Sequence, residues 1–215
     1  MIKVAKSNTA PESLKKTKAY DGEDVKRQLH IDQHSKCYIC ERILSTDFQV
    51  EHLRSKENFP DRIQDWNNLL LSCSYCNQKK LQHYDDILDP TKDDIECLIK
   101  QEIDFANKLA KFTALDESPE TAKTVDLLAK IYNGTSKCHK IRKIKEELFF
   151  KEILSDVNNF SKVILDFIIN PSDDNEASVR NELQITKENL GFKYWVIQSN
   201  DYLTKVFAKD IVWNK

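Results

Sequence analysis

The 215-residue chain carries 33 Lys and Arg against 35 Asp and Glu, a formal net charge of -2, which excludes a polycation that coats nucleic acid through bulk charge. A hydrophobic fraction of 40% can supply a core, yet no window approaches the roughly 18 continuous apolar residues of a membrane span, and MIKVAKSNTAPESLKK lacks the apolar run of a signal peptide. A soluble cytoplasmic protein with no membrane partner is expected, and in that reducing compartment closely spaced cysteines point to metal rather than to disulfides.

With Gly 3 and Pro 5 in the whole chain, strand-turn punctuation is sparse and helix is the default expectation. Residues 1–30 read as an N-terminal segment available to a partner, and GEDVKRQLHIDQHSKC, residues 22–37, reads as a short helix leading to the first cysteine pair. Residues 31–90 hold the chemistry. There DFQVEHLRS alternates apolar and polar residues like a strand and carries Glu51 and His52, DWNNLLLSC leads into a second strand through Leu69 to Leu71, and a helix starts near Ser74. Residues 91–215 read as helical. In DDIECLIKQEIDFANKLAKF, Ile95, Leu98, Ile99, Ile103, Ala106 and Ala110 follow helical spacing. SPETAKTVDLLAKIYNG opens on a Ser118 cap with Pro119 at the first helical position and closes on Asn133-Gly134. One long helix or two should end before Pro171, NPSDDNEAS is the most loop-like polar stretch, and NEASVRNELQITKENLG predicts a helix stopped by Gly191; the tail from Phe192 is ambiguous between helix and strand. The predicted fold class is mainly α with a small ββα-metal zinc-knuckle module, its non-helical part concentrated between Cys37 and about Asn68.

Four of the six cysteines form two C-x2-C pairs, Cys37 with Cys40 and Cys73 with Cys76, separated by enough chain for a hairpin. A disulfide across C-x2-C closes a very small loop, whereas two such knuckles converge readily on one tetrahedral Zn²⁺. Four thiolates leave no open coordination position, so this zinc should be structural and should fix the hairpin against the helix in a module too small to build much core.

Taken together, Cys37 and Cys40, Glu51-His52, Asn68-Leu69, Cys73 and Cys76, then Asn77 with Lys80, resemble the HNH endonucleases of the zinc-knuckle type. The third letter of the motif is Asn77 where the family name has His; Asn offers a neutral oxygen donor but a poorer one for softer metals. The resemblance extends, through MIKVAKSNTAPESL, EHLRSKENFPDRIQDWNNLLLSCSYCNQKK, ILDP and TVDLLAKIYN ahead of KIRK, to the HNH subunit of Septu-type and retron-linked antiphage defence systems. That resemblance implies a nuclease subunit working beside an ABC-type ATPase on a nucleic-acid substrate, DNA ahead of RNA.

The residues fit such chemistry. His52, with an ordinary pKa of about 6.5, can take a proton from water. Glu51 and Asn77 are hard oxygen donors suited to a catalytic Mg²⁺ or Mn²⁺. Adjacent strand residues point to opposite faces, so an irregular turn is expected if Glu51 and His52 are both to reach one site. Asn68 is placed to brace the loop backbone and with it the imidazole, the role that the resemblance also implies. Arg54 and Lys80 are candidates for phosphate contacts. An RNA- or tRNA-directed nuclease would use the same centre, and a non-catalytic zinc-stabilised nucleic-acid-binding module would explain the cysteines equally well. Cys97 and Cys138 are expected as packed thiols, His30 and His34 as bystanders to the four cysteines, His83 as a possible accessory group, Trp66 as packing beneath the loop, and KCHKIRKIK as a basic helix face for nucleic acid, solvent or partner.

Overall fold

The computed structural model describes residues 1–15, 19–134 and 143–211, so Cys138 and most of KCHKIRKIK lie outside the described residues. After a 3-10 turn at Glu12–Lys15, helix α1 (Glu23–Asp32) turns Val25 and Leu29, four residues apart, into the core and its charges to water. Strand β1 (Gln49–His52) pairs antiparallel with β2 (Leu69–Ser72), with Glu51 opposite Leu70 and His52 opposite Leu69. β2 is buried along its whole length because α1 packs on it as well. Helix α2 (Ser74–Lys80) follows at once, completing the ββα unit the sequence predicts.

Beyond it the expected helix over residues 95–110 is not formed. A single turn, α3 (Ile95–Leu98), gives way to β3 (Ile99–Asp104), which forms an antiparallel hairpin with β4 (Leu109–Ala114). The apolar positions satisfy a period of two as well as a helical one, and long-range contacts decide between them. Ile99 and Gln101 on one strand and Ala110 and Phe112 on the other are buried, while Lys111 and Thr113 between them face water. The turn needs no glycine: the Asp104 carboxylate accepts from the Asn107 backbone and side-chain N–H groups, and Lys108 takes a left-handed conformation. The non-helical part therefore extends well past Asn68, although helix still dominates the chain.

Helix α4 (Pro119–Asn133) starts and stops as its sequence predicts: Ser118 Oγ accepts from the Thr121 N–H, Pro119 occupies the first turn, and Gly134 ends the helix at φ 80°. Asn133 then clamps β4, its amide exchanging two hydrogen bonds with the backbone of Ala110. Helix α5 (Ile144–Ile169) is unbroken and ends ahead of Pro171. The supposed loop around Asp173 is instead the start of α6 (Asp173–Glu182), capped by Ser172 with three acidic residues in its first turn. Gly191 does not stop a helix; it lies in the first turn of α7 (Leu190–Gln198), where a Cβ would fall 2.4 Å from the Gln101 side chain, so glycine lets α7 close onto β3. The ambiguous tail is helical, as α7 and α8 (Asp201–Phe207).

Two cores result. The larger runs through all three expected segments, joining Leu29, Leu70, Leu88, Leu128, Phe149 and Phe192. Tyr75 ties α2 into it, its ring 5.0 Å from Phe149 and its hydroxyl donating to the Ile131 carbonyl at 2.8 Å. The smaller core joins the second half of α5 to α6, α7 and α8 through Phe160, Ile164, Phe167, Val179, Leu203 and Phe207. Among the described residues no helix is long and apolar enough to cross a membrane.

Candidate active site and metal centre

The first knuckle is a tight turn in which Glu41 N–H donates to the Cys37 carbonyl and Cys37 N–H to the Arg42 carbonyl, with Glu41 at positive φ. In the second, Cys73 caps α2, its sulfur accepting from the Cys76 N–H at 3.4 Å. Gln33 fastens the first knuckle to the hairpin, since its side chain donates to the carbonyls of Lys36 and Leu71 and accepts from the Leu71 N–H. The four sulfurs are buried and lie within 4.8 Å of one another. A regular Zn–S₄ tetrahedron with bonds of about 2.3 Å has edges of about 3.8 Å, and Cys40 Sγ and Cys73 Sγ are 3.9 Å apart. Burial pushes the Cys40 and Cys76 thiols well up, so a dication among them is what would let these two ionise. The donor set thus fits Zn²⁺. His30 and His34 are outside it; His30 Nδ1 bonds Ser35 Oγ.

At the far end of the hairpin, Glu51, His52 and Asn77 line one cleft of about 150 Å³ together with Val50, Ser55 and Lys56. No irregular turn is needed for this: β1 stays paired through His52, and both Glu51 and His52 line the cleft. His52 points to the loop after β1, where its Nε2 donates to the Ile63 carbonyl at 2.9 Å and its ring meets Tyr20 edge to face at 4.8 Å. Because a carbonyl only accepts, this bond assigns the proton to Nε2 and leaves Nδ1 as the basic nitrogen. Burial lowers the His52 pKa below its ordinary value, with Lys56 and Lys80 acting the same way against the Ile63 hydrogen bond, so the ring is neutral near pH 7.

Glu51 points instead to α2. Its Oε1 is 3.1 Å from the ammonium of Lys80, while Oε2 is buried without a hydrogen-bond partner. Burial pushes this carboxyl up to about 7 against the pull of Lys80. Asn77 donates through Nδ2 to Gln49 Oε1, which aligns its own Oδ1 as an oxygen donor. An orphaned carboxylate oxygen and an amide oxygen on one cleft suit a hard cation that keeps other positions for water and phosphate, as Mg²⁺ and Mn²⁺ do.

Asn68, wholly buried, spans the loop. Its Oδ1 accepts from the Arg54 N–H at 2.8 Å and its Nδ2 donates to the carbonyls of Arg54 at 2.9 Å and Arg62 at 3.2 Å, pinning both sides of the segment that carries Ile63. The Asp85 carboxylate secures the same loop from below, accepting from the Ser55 backbone and hydroxyl and from Asn58; burial pushes it up, but these bonds outweigh it and hold its pKa below the usual range. Trp66 serves as packing, its indole N–H bonded to the Ser7 carbonyl and its ring under Lys6.

The two expected phosphate-binding cations are turned inward. Arg54 donates to the carbonyls of Asp85 and Ile87, and Lys80, with no exposed surface, pairs with Glu51 and donates to the His52 carbonyl at 3.0 Å. Both hold backbone and carboxylate in place where a surface role was expected. Cys97 is exposed, 3.5 Å from the Tyr194 hydroxyl, and is not a packed thiol. His83 is exposed and does not line the cleft. Gln33, Asp85 and the Ile63 carbonyl belong to the site's support without any sequence motif, since each acts through contacts distant in the chain.

Residues 37–82 match the family model described as HNH endonuclease. The chain is also similar to the Septu protein PtuB of Bacillus thuringiensis, 38% identical over 66 residues, which cover 28% of this chain and 26% of that protein. The match therefore spans about a quarter of the relative's length. No solved structure matches the chain.

Proposed function

We propose, taking residues 37–82 as an HNH endonuclease module, that this protein hydrolyses phosphodiester bonds of nucleic acid, DNA ahead of RNA, at the cleft between β1 and α2. The observation that carries the proposal is the convergence of Glu51, His52 and Asn77 on that cleft, with Glu51 Oε2 unbonded and His52 Nε2 already committed to a carbonyl.

In this reading His52 Nδ1 accepts a proton from water as the water oxygen bonds to phosphorus and the bond to the leaving sugar oxygen breaks. The Ile63 carbonyl holds the imidazole in the tautomer this needs and, by accepting from Nε2–H, favours the imidazolium formed when Nδ1 takes the proton, and Asn68 braces the loop that carries that carbonyl. Glu51 and Asn77 would hold Mg²⁺ or Mn²⁺, which supplies charge neutralisation at the phosphoryl and leaving oxygens. The Cys37, Cys40, Cys73 and Cys76 zinc stays out of the reaction and holds strand and helix together. Similarity to a Septu protein supports a role as the nuclease subunit of an antiphage complex, and the resemblance of the flanking sequence supports an ABC-type ATPase as its partner.

The test is cleavage of plasmid, single-stranded DNA and RNA with Mg²⁺ or Mn²⁺, alone and with a co-expressed ATPase. Cleavage that disappears in Glu51→Gln and Asn77→Ala supports the enzyme and ranks its substrates. A protein that binds these substrates and cuts none under any of these conditions is a binding module.

A further inference from the structure

We propose that a groove beside the cleft, walled by Tyr20, Pro60 and Ile63 and charged by Lys56, holds the nucleotide next to the scissile phosphate, with the Lys56 ammonium on that nucleotide's own phosphate. The inference rests on the nuclease reading and adds to it the route of the substrate strand. Once Arg54 and Lys80 are seen to point inward, the cleft needs another cation to receive a polyanion.

The groove is a hollow of about 460 Å³ lined by Tyr20, Lys56, Pro60, Asp61, Ile63 and Gln64. It adjoins the cleft of Glu51, His52 and Asn77, and Lys56 lines both. His52 stands at the junction, its ring against Tyr20 and its Nε2 on Ile63, so a strand whose phosphate meets His52 runs directly into the groove. Its volume is on the scale of single small-molecule pockets, about 300–1,000 Å³, which suits one sugar and base and is too small for a duplex.

Charge selects Lys56 as the anchor. Among the residues lining the two hollows, Glu51, Glu57 and Asp61 are acidic, and Lys56 is the one Lys or Arg. Lys56 is exposed, with Nζ 3.3 Å from the Tyr20 hydroxyl and 5.1 Å from its ring centroid. One of the three ammonium donors thus orients the group, and two remain for phosphate oxygens. The Tyr20 ring with Pro60 and Ile63 gives the apolar wall that a sugar and base need, and such a wall accepts any base.

The test is equilibrium binding of the full chain to labelled single-stranded DNA, duplex DNA and RNA, with Ca²⁺ replacing Mg²⁺ to separate binding from cutting. Lys56→Ala should weaken binding about 3- to 10-fold at low salt and flatten the slope of log Kd against log salt by about 0.7 for single strands or 0.9 for duplex, the value of one phosphate contact. Lys56→Arg should restore both, and Lys162→Ala, on the exposed face of α5, should change neither. If Lys56→Ala keeps the wild-type affinity and slope while the wild type cuts through His52, the groove assignment falls and the nuclease reading stands. If Lys56-dependent binding occurs without any cutting, the groove stands as a nucleotide-binding site, and its place beside a scissile phosphate falls with the nuclease reading. A wild type that binds none of the three probes overturns both.

Discussion

The module of residues 37–82 and the smaller core of α5 to α8 balance apolar packing against directional contacts differently. The distal core is mostly apolar: Phe160, Phe167 and Phe207 are almost fully buried, with Phe167 and Phe207 in edge-to-face contact at 5.2 Å, and one buried cation, Lys193, lies beside Phe160 and pairs with Glu182 and Asp156. The module also buries Leu69 to Leu71, but it adds four clustered thiols, the Glu51–Lys80 pair and the hydrogen-bonded amide of Asn68, and Gln33 just ahead of it fastens the first knuckle to β2. Apolar packing is non-directional and tolerates small displacements. Hydrogen bonds and metal ligation fix individual atoms, which is what a reaction at one phosphate requires. Stability and chemistry should therefore separate between the two regions.

Metal removal should show the separation most strongly. Structural zinc in small modules contributes about 10–16 kcal/mol, so a strong chelator or Cys73→Ser should abolish activity and melt the module, and helical circular dichroism from α5 to α8 should largely remain. Complete loss of helix would mean that the distal core has no stability of its own.

A matched pair sharpens the contrast. Phe160→Ala and Lys80→Met should each cost about 3–5 kcal/mol, the first by opening a cavity, the second by leaving Glu51 buried without its counter-charge. In denaturant titrations the two should be comparable. In cleavage assays at a temperature where both are folded, Phe160→Ala should match the wild type and Lys80→Met should need far more Mg²⁺ or lose activity.

Asn68→Ala should cost about 1–3 kcal/mol by stranding the backbone groups of Arg54 and Arg62, and should lower kcat more than it raises KM because the loop that orients His52 loosens. The smallest effect concerns acid. Asp85 has a lowered folded pKa, so its contribution is present above the unfolded value of about 3.9 and is lost as pH falls through the lower folded one. Wild type should lose an increment of stability below about pH 4 that Asp85→Asn does not lose, measured by thermal melts across that window.

The module was legible because its signals are local. Two C-x2-C pairs, an alternating strand around Glu51-His52 and a Cys73 cap on α2 each sit within a few residues, as do the Ser118-Pro119 start and Gly134 stop of α4. The second hairpin was not legible, because Ile99, Ile103 and Ala110 fit both periodicities and the deciding contact, Asn133 on Ala110, comes from 23 residues away. The inward turn of Arg54 and Lys80 was hidden for the same reason: their partners, Asp85, Ile87 and Glu51, lie about thirty residues off, and an exposed cation looks the same in sequence as a buried one. Gly191 misled because glycine most often ends helices, whereas here the approach of Gln101 requires it inside one.

The most direct measurement is the cleavage rate of His52→Ala, alone and in complex, alongside its zinc content and melting temperature. Loss of cutting with one zinc retained per chain and an unchanged fold is the predicted result, since the proposal gives proton transfer to the imidazole and the scaffold to the thiolates. Cutting at the wild-type rate would contradict the account at its centre.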